Sequence, residues 1–466
     1  MPSMEGNSRG RLRTTILRCG ERCEDFLARL LREPERARRV YPWVLLALTL
    51  LVWFPTLFTG LDLSNPDDYY HITQAALYHS PSDVTTWFTR GHWAYSHYEY
   101  RPLTRLAVLV TYLMWGPRPF GFHLASVLLH FACALLLSAA MVRAGAPVWP
   151  ARLAGLVAAV FPAGQMAVSW ISGMGDLLCN ALILSSVLVF LQWLQGQSWR
   201  WAVGASALTI LAALTKEPGA ATPAFLLLAA LVLPSRRGWP ERIGAVALSV
   251  GLLLPYLWVR FHAWSFDEYV AVNALILRPL SVSVRYLFSD LLLPRPYELV
   301  AFWWPMGWHV VLAQGFPKML LEQVVFWIAL PLLCRRRLRL LMLGVAWKIV
   351  FFLPAYQLYW NPAFTHYRYL PHLGTAWIVG LAAWELGESA ARRLRSRTRP
   401  LVRWSLVAAG LAALLAYYIV QLPLRWPSLS TIADGGPPPP PAFCRALQGP
   451  GVPFRLDDSD LHPPVP

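Results

Sequence analysis

Apolar stretches recur along this chain at lengths that approach or reach the width of a bilayer, and short arginine-rich loops separate them. They run approximately over residues 43–59, 119–142, 150–170, 177–195, 201–215, 219–233, 242–260, 319–334, 340–356, 372–390 and 401–420. A membrane-spanning helix needs about 20 predominantly apolar residues. Hydrocarbon offers backbone N–H and C=O groups no partners, so a chain of this kind must satisfy them within helices. The expectation is an all-α polytopic membrane protein, a bundle of about eleven transmembrane helices. Composition agrees, with 56% hydrophobic and 14% charged residues, where a soluble domain carries about 25% charged.

The arginines set the topology. With the N-terminus inside and the segments alternating, the inner side collects ten arginines before residue 43 and then Arg143, Arg152, Arg200, Arg236, Arg237, Arg242, Arg335–Arg337, Arg339 and the run from Arg392 to Arg403. Short inner loops rich in Arg are what the positive-inside rule demands. Pro102 to Gly116 is apolar but makes only about 22 Å of helix, and a span there would turn the later arginine loops outward. It is expected to lie along the outer surface, as is Leu280 to Leu293. Three regions follow: a basic cytosolic segment 1–42, a transmembrane catalytic region 43–420 with outer loops 60–118, 261–318 and 357–371, and a Pro-rich outer tail 421–466. About 40 polar residues precede the first apolar run, which fits a retained segment rather than a cleavable signal.

Other classes fit poorly. The net charge of +16 is dispersed over loops and forms no patch for nucleic acid. Cys19 and Cys23 have no second pair to complete a zinc site. A transporter would carry ionisable residues at the midplane of its spans, and Lys348 is the one basic residue well inside a span.

The remaining polar residues gather at the outer ends of the expected helices. Asp67 and Asp68 follow the first span within Asn65–Ile72, NPDDYYHI, where His71 also lies. Adjacent carboxylates near the membrane surface repel and are partly desolvated, which raises the basicity of at least one. Arg101 precedes the surface helix. Asp176 sits in a turn after Ser172, Gly173, Met174 and Gly175, where it could equally be a plain helix cap. Lys216 and Glu217 end the fifth span. A compact ammonium suits a phosphate contact, although a Lys paired with its neighbour Glu217 is the simpler alternative. His366, Arg368 and Tyr369 belong to THYRYLP, residues 365–371. Acids and bases at one membrane boundary, with no soluble nucleotide-binding motif, point to a lipid substrate such as a polyprenyl-phosphate sugar.

These stretches, in this order, resemble the GT-C superfamily of membrane glycosyltransferases, particularly the transmembrane and tetratricopeptide-repeat O-mannosyltransferases and their bacterial relatives. NPDDYYHI is similar to their first-loop catalytic motif. Arg101 to His130 is similar to their surface helix and second span, WISGMGDLL to the second-loop acidic motif, LTKEPGAATP to the Lys-Glu motif, and THYRYLPHLG to the late RYLYLP loop. The likeness covers about residues 45–380. It departs in lacking the tetratricopeptide repeats and in carrying His366 and Tyr367 where the family has a Glu.

The resemblance implies an inverting transfer of a mannose-like or other hexose from a polyprenyl-phosphate donor to a hydroxyl acceptor on protein. A lipid or surface-polysaccharide acceptor is the alternative, and a lipid-linked sugar flippase is a third reading. Asp67 would be the general base and Asp68 its assistant. Lys216, Arg368 and Arg101 would hold the donor phosphate, while Asp176, Glu217, His71, His366 and Tyr369 would position sugar or acceptor. A divalent cation, Mg or Mn, would have Asp67, Asp68 and Asp176 as ligands, but nearby Lys and Arg could replace it and no metal is assigned. The expected setting is a bacterial cytoplasmic membrane with the site facing outward.

Overall fold

A computed structural model describes residues 34–60, 66–77, 80–89, 100–161, 164–262, 324–352, 366–393 and 409–410. The interfacial piece expected over 280–293, the last span and the Pro-rich tail lie outside the described residues, apart from 409–410. Everything regular within the described residues is helical. Proline opens the first five helices among the described residues: α1 (Pro34–Trp53), α2 (Pro66–Leu77), α3 (Pro81–Thr89), α4 (Pro102–Trp115) and α5 (Pro119–Arg143). The first N–H of a helix has no intrahelical acceptor, so Pro costs nothing there and its φ is already helical. Then follow α6 (Val148–Val160), α7 (Gln165–Ser169), α8 (Met174–Leu194), α9 (Trp199–Thr215), α10 (Thr222–Val232), α11 (Trp239–His262), α12 (Leu330–Leu333), α13 (Leu338–Phe352) and α14 (Tyr369–Arg393). Gly145 and Gly196, at φ of 95° and 101°, end α5 and α8 in the left-handed conformation that most other residues avoid.

Arg38–Phe58, Pro119–Arg143, Ile171–Leu194 and Trp239–Arg260 are long and apolar enough to cross a membrane. The chain is a multi-pass membrane protein. Two expected spans are interrupted. The segment 150–170 stops at Val160, because Phe161 is extended (φ −74°, ψ 127°) in front of Pro162, whose ring disfavours a helical residue before it. The segment 319–334 passes through a widened π turn, Val325–Ala329, before α12, and Pro331 there has no N–H to continue the ladder. At the other end, α1 begins at Pro34, nine residues before the apolar run, and takes in Arg38 and Arg39.

α8 packs on α9 and α5, and α14 packs on α13 and α6, with α1 against α5 and α6. One continuous apolar core joins these helices, with Trp53, Trp193, Trp347 and Trp377 fully buried in it. Small residues permit the closest approaches, as in membrane bundles generally. A Cβ on Gly374 would fall 2.7 Å from the Gly344 carbonyl oxygen, so α13 and α14 touch through their backbones. α4 lies against α2, α5, α8 and α9. It buries Thr104, Arg105, Val108 and Leu109 on one face and exposes Leu113 and Met114 near its end. That amphipathic helix, too short to span, is the one expected along the membrane surface.

Candidate functional site

The first turn of α2 carries Asp67 and Asp68, with His71 one turn on and therefore near the same face. Carboxylates in a first turn are favoured by the helix dipole. Asp68 is 1% exposed and accepts hydrogen bonds at 3.0 Å from both the backbone N–H and the hydroxyl of Ser172. It ties α2 to the 3-10 turn Ile171–Gly173 that leads into α8. The Asp67 side chain lies outside the described residues.

Lys216 follows α9 with φ −160° and ψ 151°. In an extended residue, successive side chains point to opposite sides. Lys216 and Glu217 consequently do not pair with each other. Lys216 Nζ donates to both carboxylate oxygens of Asp176 at 2.7 Å and stands 4.5 Å from the Tyr367 ring centre. Glu217 accepts from Arg101 Nε and Nη2 at 2.9–3.2 Å, with Arg260 Nη2 at 3.8 Å. Burial alone would raise the Glu217 carboxyl, but Arg101 and Arg260 outweigh it and bring it down to about 2. The close approach of these pieces leaves little room. Thr104 donates to the Thr215 carbonyl oxygen at 2.7 Å, joining α4 to α9, and a Cβ on Gly175 would meet the Thr104 hydroxyl at the same distance.

Arg101, Arg105 and Lys216 together surround His71. Burial first, then Arg105, Arg101 and Lys216, lowers its pKa to about 3. His366 is held well below its ordinary value by burial, Lys216 and Arg101. Of the three cations, Lys216 is paired with Asp176 and Arg101 with Glu217. Two small clefts open on either side of Lys216. His71, Arg101, Thr104, Arg105, Ser172 and Gly175 border one. Asp176, Asn180, Pro218, Phe351, His366 and Tyr367 are among the residues bordering the other.

Asp68, His71, Arg101, Asp176, Lys216, Glu217 and His366 thus converge from five separate stretches of sequence. Tyr369 instead points into the bundle, with its hydroxyl 2.8 Å from His130 Nδ1, and Arg368 is buried at the same end of α14. Thr104, Arg105, Ser172 and Arg260 belong to the neighbourhood and were not anticipated. Arg105 carried no distinguishing signal in the sequence, and its burial on the inner face of α4 is what brings it into the neighbourhood. No three His, Cys, Asp or Glu side chains converge as a metal site would require among the described residues. Asp68 is held by Ser172 and Asp176 by Lys216, and the Asp67 side chain lies outside the described residues.

Two consequences are measurable. Unfolded histidine takes up a proton near pH 6.5, whereas His71 and His366 refuse it when folded. The unfolded chain then binds more protons below that pH, so stability rises with pH across the window. The unfolding temperature in detergent is expected to fall between pH 7 and pH 4.5, and His71→Gln should flatten part of that slope. Second, a Cβ on Gly219 would lie 2.2 Å from the Ala212 carbonyl carbon, a backbone atom that cannot swing away. Gly219→Ala is expected to destabilise by the 1–3 kcal/mol, roughly, typical of overpacking, measured as loss of folded protein after heating.

No protein-family model matches the chain. In sequence it is similar to protein O-mannosyl-transferase tmtc2 of Xenopus laevis, 33% identical over 130 residues, which is 27% of this chain and 15% of that protein. Protein O-mannosyl-transferase TMTC2 of Homo sapiens is 31% identical over 130 residues, with the same coverage. The chain therefore spans about 15% of the length of these curated relatives. The archaeal oligosaccharyltransferase AglB from Archaeoglobus fulgidus, in complex with an inhibitory peptide and a dolichol-phosphate, overlays with a TM-score of 0.49 at 13% identity, over 90% of this chain and 61% of that one. ArnT from Cupriavidus metallidurans in the apo state gives 0.45 at 17% identity, over 88% and 75%. The resemblance to protein O-mannosyl-transferases is borne out in sequence over 130 residues. Both relatives are animal proteins, and neither supports a bacterial origin.

Proposed function

We propose that this protein is an inverting glycosyltransferase that moves a hexose from a polyprenyl-phosphate carrier to a hydroxyl acceptor, with a protein hydroxyl as the first candidate. The observation that carries the reading is the cluster of Arg101, Arg105 and Lys216 around His71, one turn from the Asp67–Asp68 pair. Transfer needs a base at the acceptor and positive charge at the leaving phosphate. Asp67 takes the acceptor O–H proton as that oxygen attacks the anomeric carbon from the face opposite the carrier. The bond from that carbon to the phosphate oxygen breaks, and its electron pair leaves on the phosphate. Fixed positive charge aimed at a growing negative charge is often the largest catalytic contribution. Lys216 and Arg105 supply it, with Arg101 and Arg368 beside them. Asp68 positions the loop through Ser172, and Asp176 holds Lys216 in place. Glu217 fixes Arg101, and His71 and His366, as neutral groups, can hydrogen-bond sugar hydroxyls. Tyr369, hydrogen-bonded to His130, positions the start of α14.

The lipid tail would lie among the helices and the sugar outside them. The arginine loops favour a cytosolic N-terminus and a site on the outer face of the membrane. The acceptor could also be a lipid or a surface polysaccharide, since the matched relatives are covered only in part. Donor recognition is testable without knowing the acceptor. Polyprenyl phosphate should raise the unfolding temperature of the detergent-solubilised wild type, and Arg105→Gln should weaken that effect tenfold or more in concentration. Equal stabilisation of both proteins would remove Arg105 from the phosphate contact.

A further inference from the structure

α13 and α14 both reach the candidate site, through Phe351 at the end of one and Leu370 at the start of the other. The opposite end of α14, with α12 and the 3-10 turn that precedes α13, borders a cleft of about 450 Å³. From Tyr369 to Ser389, α14 rises about 30 Å at 1.5 Å per residue, the thickness of a bilayer's hydrocarbon core. The cleft therefore sits at the other membrane boundary from the site. Its walls are of two kinds. Leu332 and Leu386, exposed at 68% and 54%, are apolar and face outward from the bundle. Arg335, Arg336 and Arg392 are basic, and Ser389 offers a hydroxyl.

The charge of this cleft is not cancelled from within. The buried carboxylate of Glu385 is engaged by the neighbouring Arg337. Arg392 Nη2 donates to Ser389 at 2.8 Å, and its Nη1 lies 3.9 Å from Glu388 on the surface of α14. Arg335 and Arg336 project from the 3-10 turn between α12 and α13 and are exposed.

We propose that this cleft binds the headgroup of an anionic phospholipid of the surrounding leaflet. The arginines take the phosphate, and the acyl chains lie along Leu332 and Leu386. A cationic pocket between helix ends with lipid-facing apolar walls matches that ligand in both charge and shape, and guanidinium groups pair with phosphate oxygens in a two-pronged geometry. The site stands independently of the glycosyl-transfer reading, because no residue in it belongs to that machinery.

The test is native mass spectrometry of the full-length, delipidated protein titrated with phosphatidylglycerol or phosphatidylcholine. Wild type is expected to retain phosphatidylglycerol at least tenfold more tightly. Removing interfacial cations weakens such binding roughly fivefold each, so R335Q/R336Q/R392Q should bind phosphatidylglycerol roughly 100-fold less tightly. Arg392→Gln alone is a surface change that should leave folding intact and give roughly a fivefold loss. Millimolar inorganic phosphate should not displace the lipid. Equal retention of both lipids by wild type, unchanged phosphatidylglycerol binding in the variants, or full displacement by phosphate would each overturn the assignment, the last by making the cleft a soluble-anion site.

Discussion

Asp67→Asn is expected to lower sugar transfer by about 10³-fold, within the range that loss of a positioned general base produces, and to leave the protein folded and inserted. The asparagine is nearly isosteric and keeps an acceptor oxygen, but it cannot take the acceptor's proton at neutral pH. Asp68→Asn makes the informative contrast. Its carboxylate is occupied by the two Ser172 hydrogen bonds, and the amide could still accept some of them. A smaller fall in kcat, accompanied by a lower unfolding temperature, is expected there. If Asp68→Asn were the inactive variant and Asp67→Asn retained full turnover, the two roles would be exchanged.

The second large effect is at Lys216. Lys216 and Asp176 are 4% and 7% exposed, and their charges meet at 2.7 Å. Lys216→Met would strand a buried carboxylate, which costs about 3–5 kcal/mol when one partner of such a pair is removed. It would also remove the ammonium from the phosphate region. Stability and activity should then separate in a double variant. Lys216→Met with Asp176→Leu replaces both charges by apolar groups, an exchange that is often neutral or stabilising. The double variant is expected to recover its unfolding temperature and to remain inactive. Recovery of transfer together with stability would show that the pair serves the fold alone.

Much of this arrangement was legible in the sequence, for physical reasons. Hydrocarbon forces helices, so apolar run length revealed most of the bundle, and α5, α8, α9 and α11 fall close to the expected bounds. Proline disrupted the expectation where run length alone could not show it, at Phe161 and at Pro331. The polar residues could be gathered because charge in a membrane chain is expensive and each instance invites a reason. Their pairing could not be read. Adjacent Lys216 and Glu217 look like partners in one dimension, yet an extended residue between α9 and the next turn sends them to Asp176 and Arg101. Arg105 was hidden because an arginine four residues after Arg101 in an apolar helix looks like a second surface charge. Only the packing of α4 against α8 and α9 reveals that it faces inward.

The most direct test of glycosyl transfer supplies purified wild-type and Asp67→Asn protein, in liposomes, with radiolabelled polyprenyl-phosphate mannose and polyprenyl-phosphate glucose in parallel, together with acceptor proteins and membrane lipids. Label is then separated into protein, lipid and water-soluble fractions. Transfer from at least one donor by wild type, and none by Asp67→Asn, is the predicted result, and the labelled fraction identifies the acceptor class. Donor that stays intact with both proteins, while labelled lipid crosses the liposome bilayer only where wild type is present, would contradict glycosyl transfer and make the protein a carrier of lipid-linked sugar.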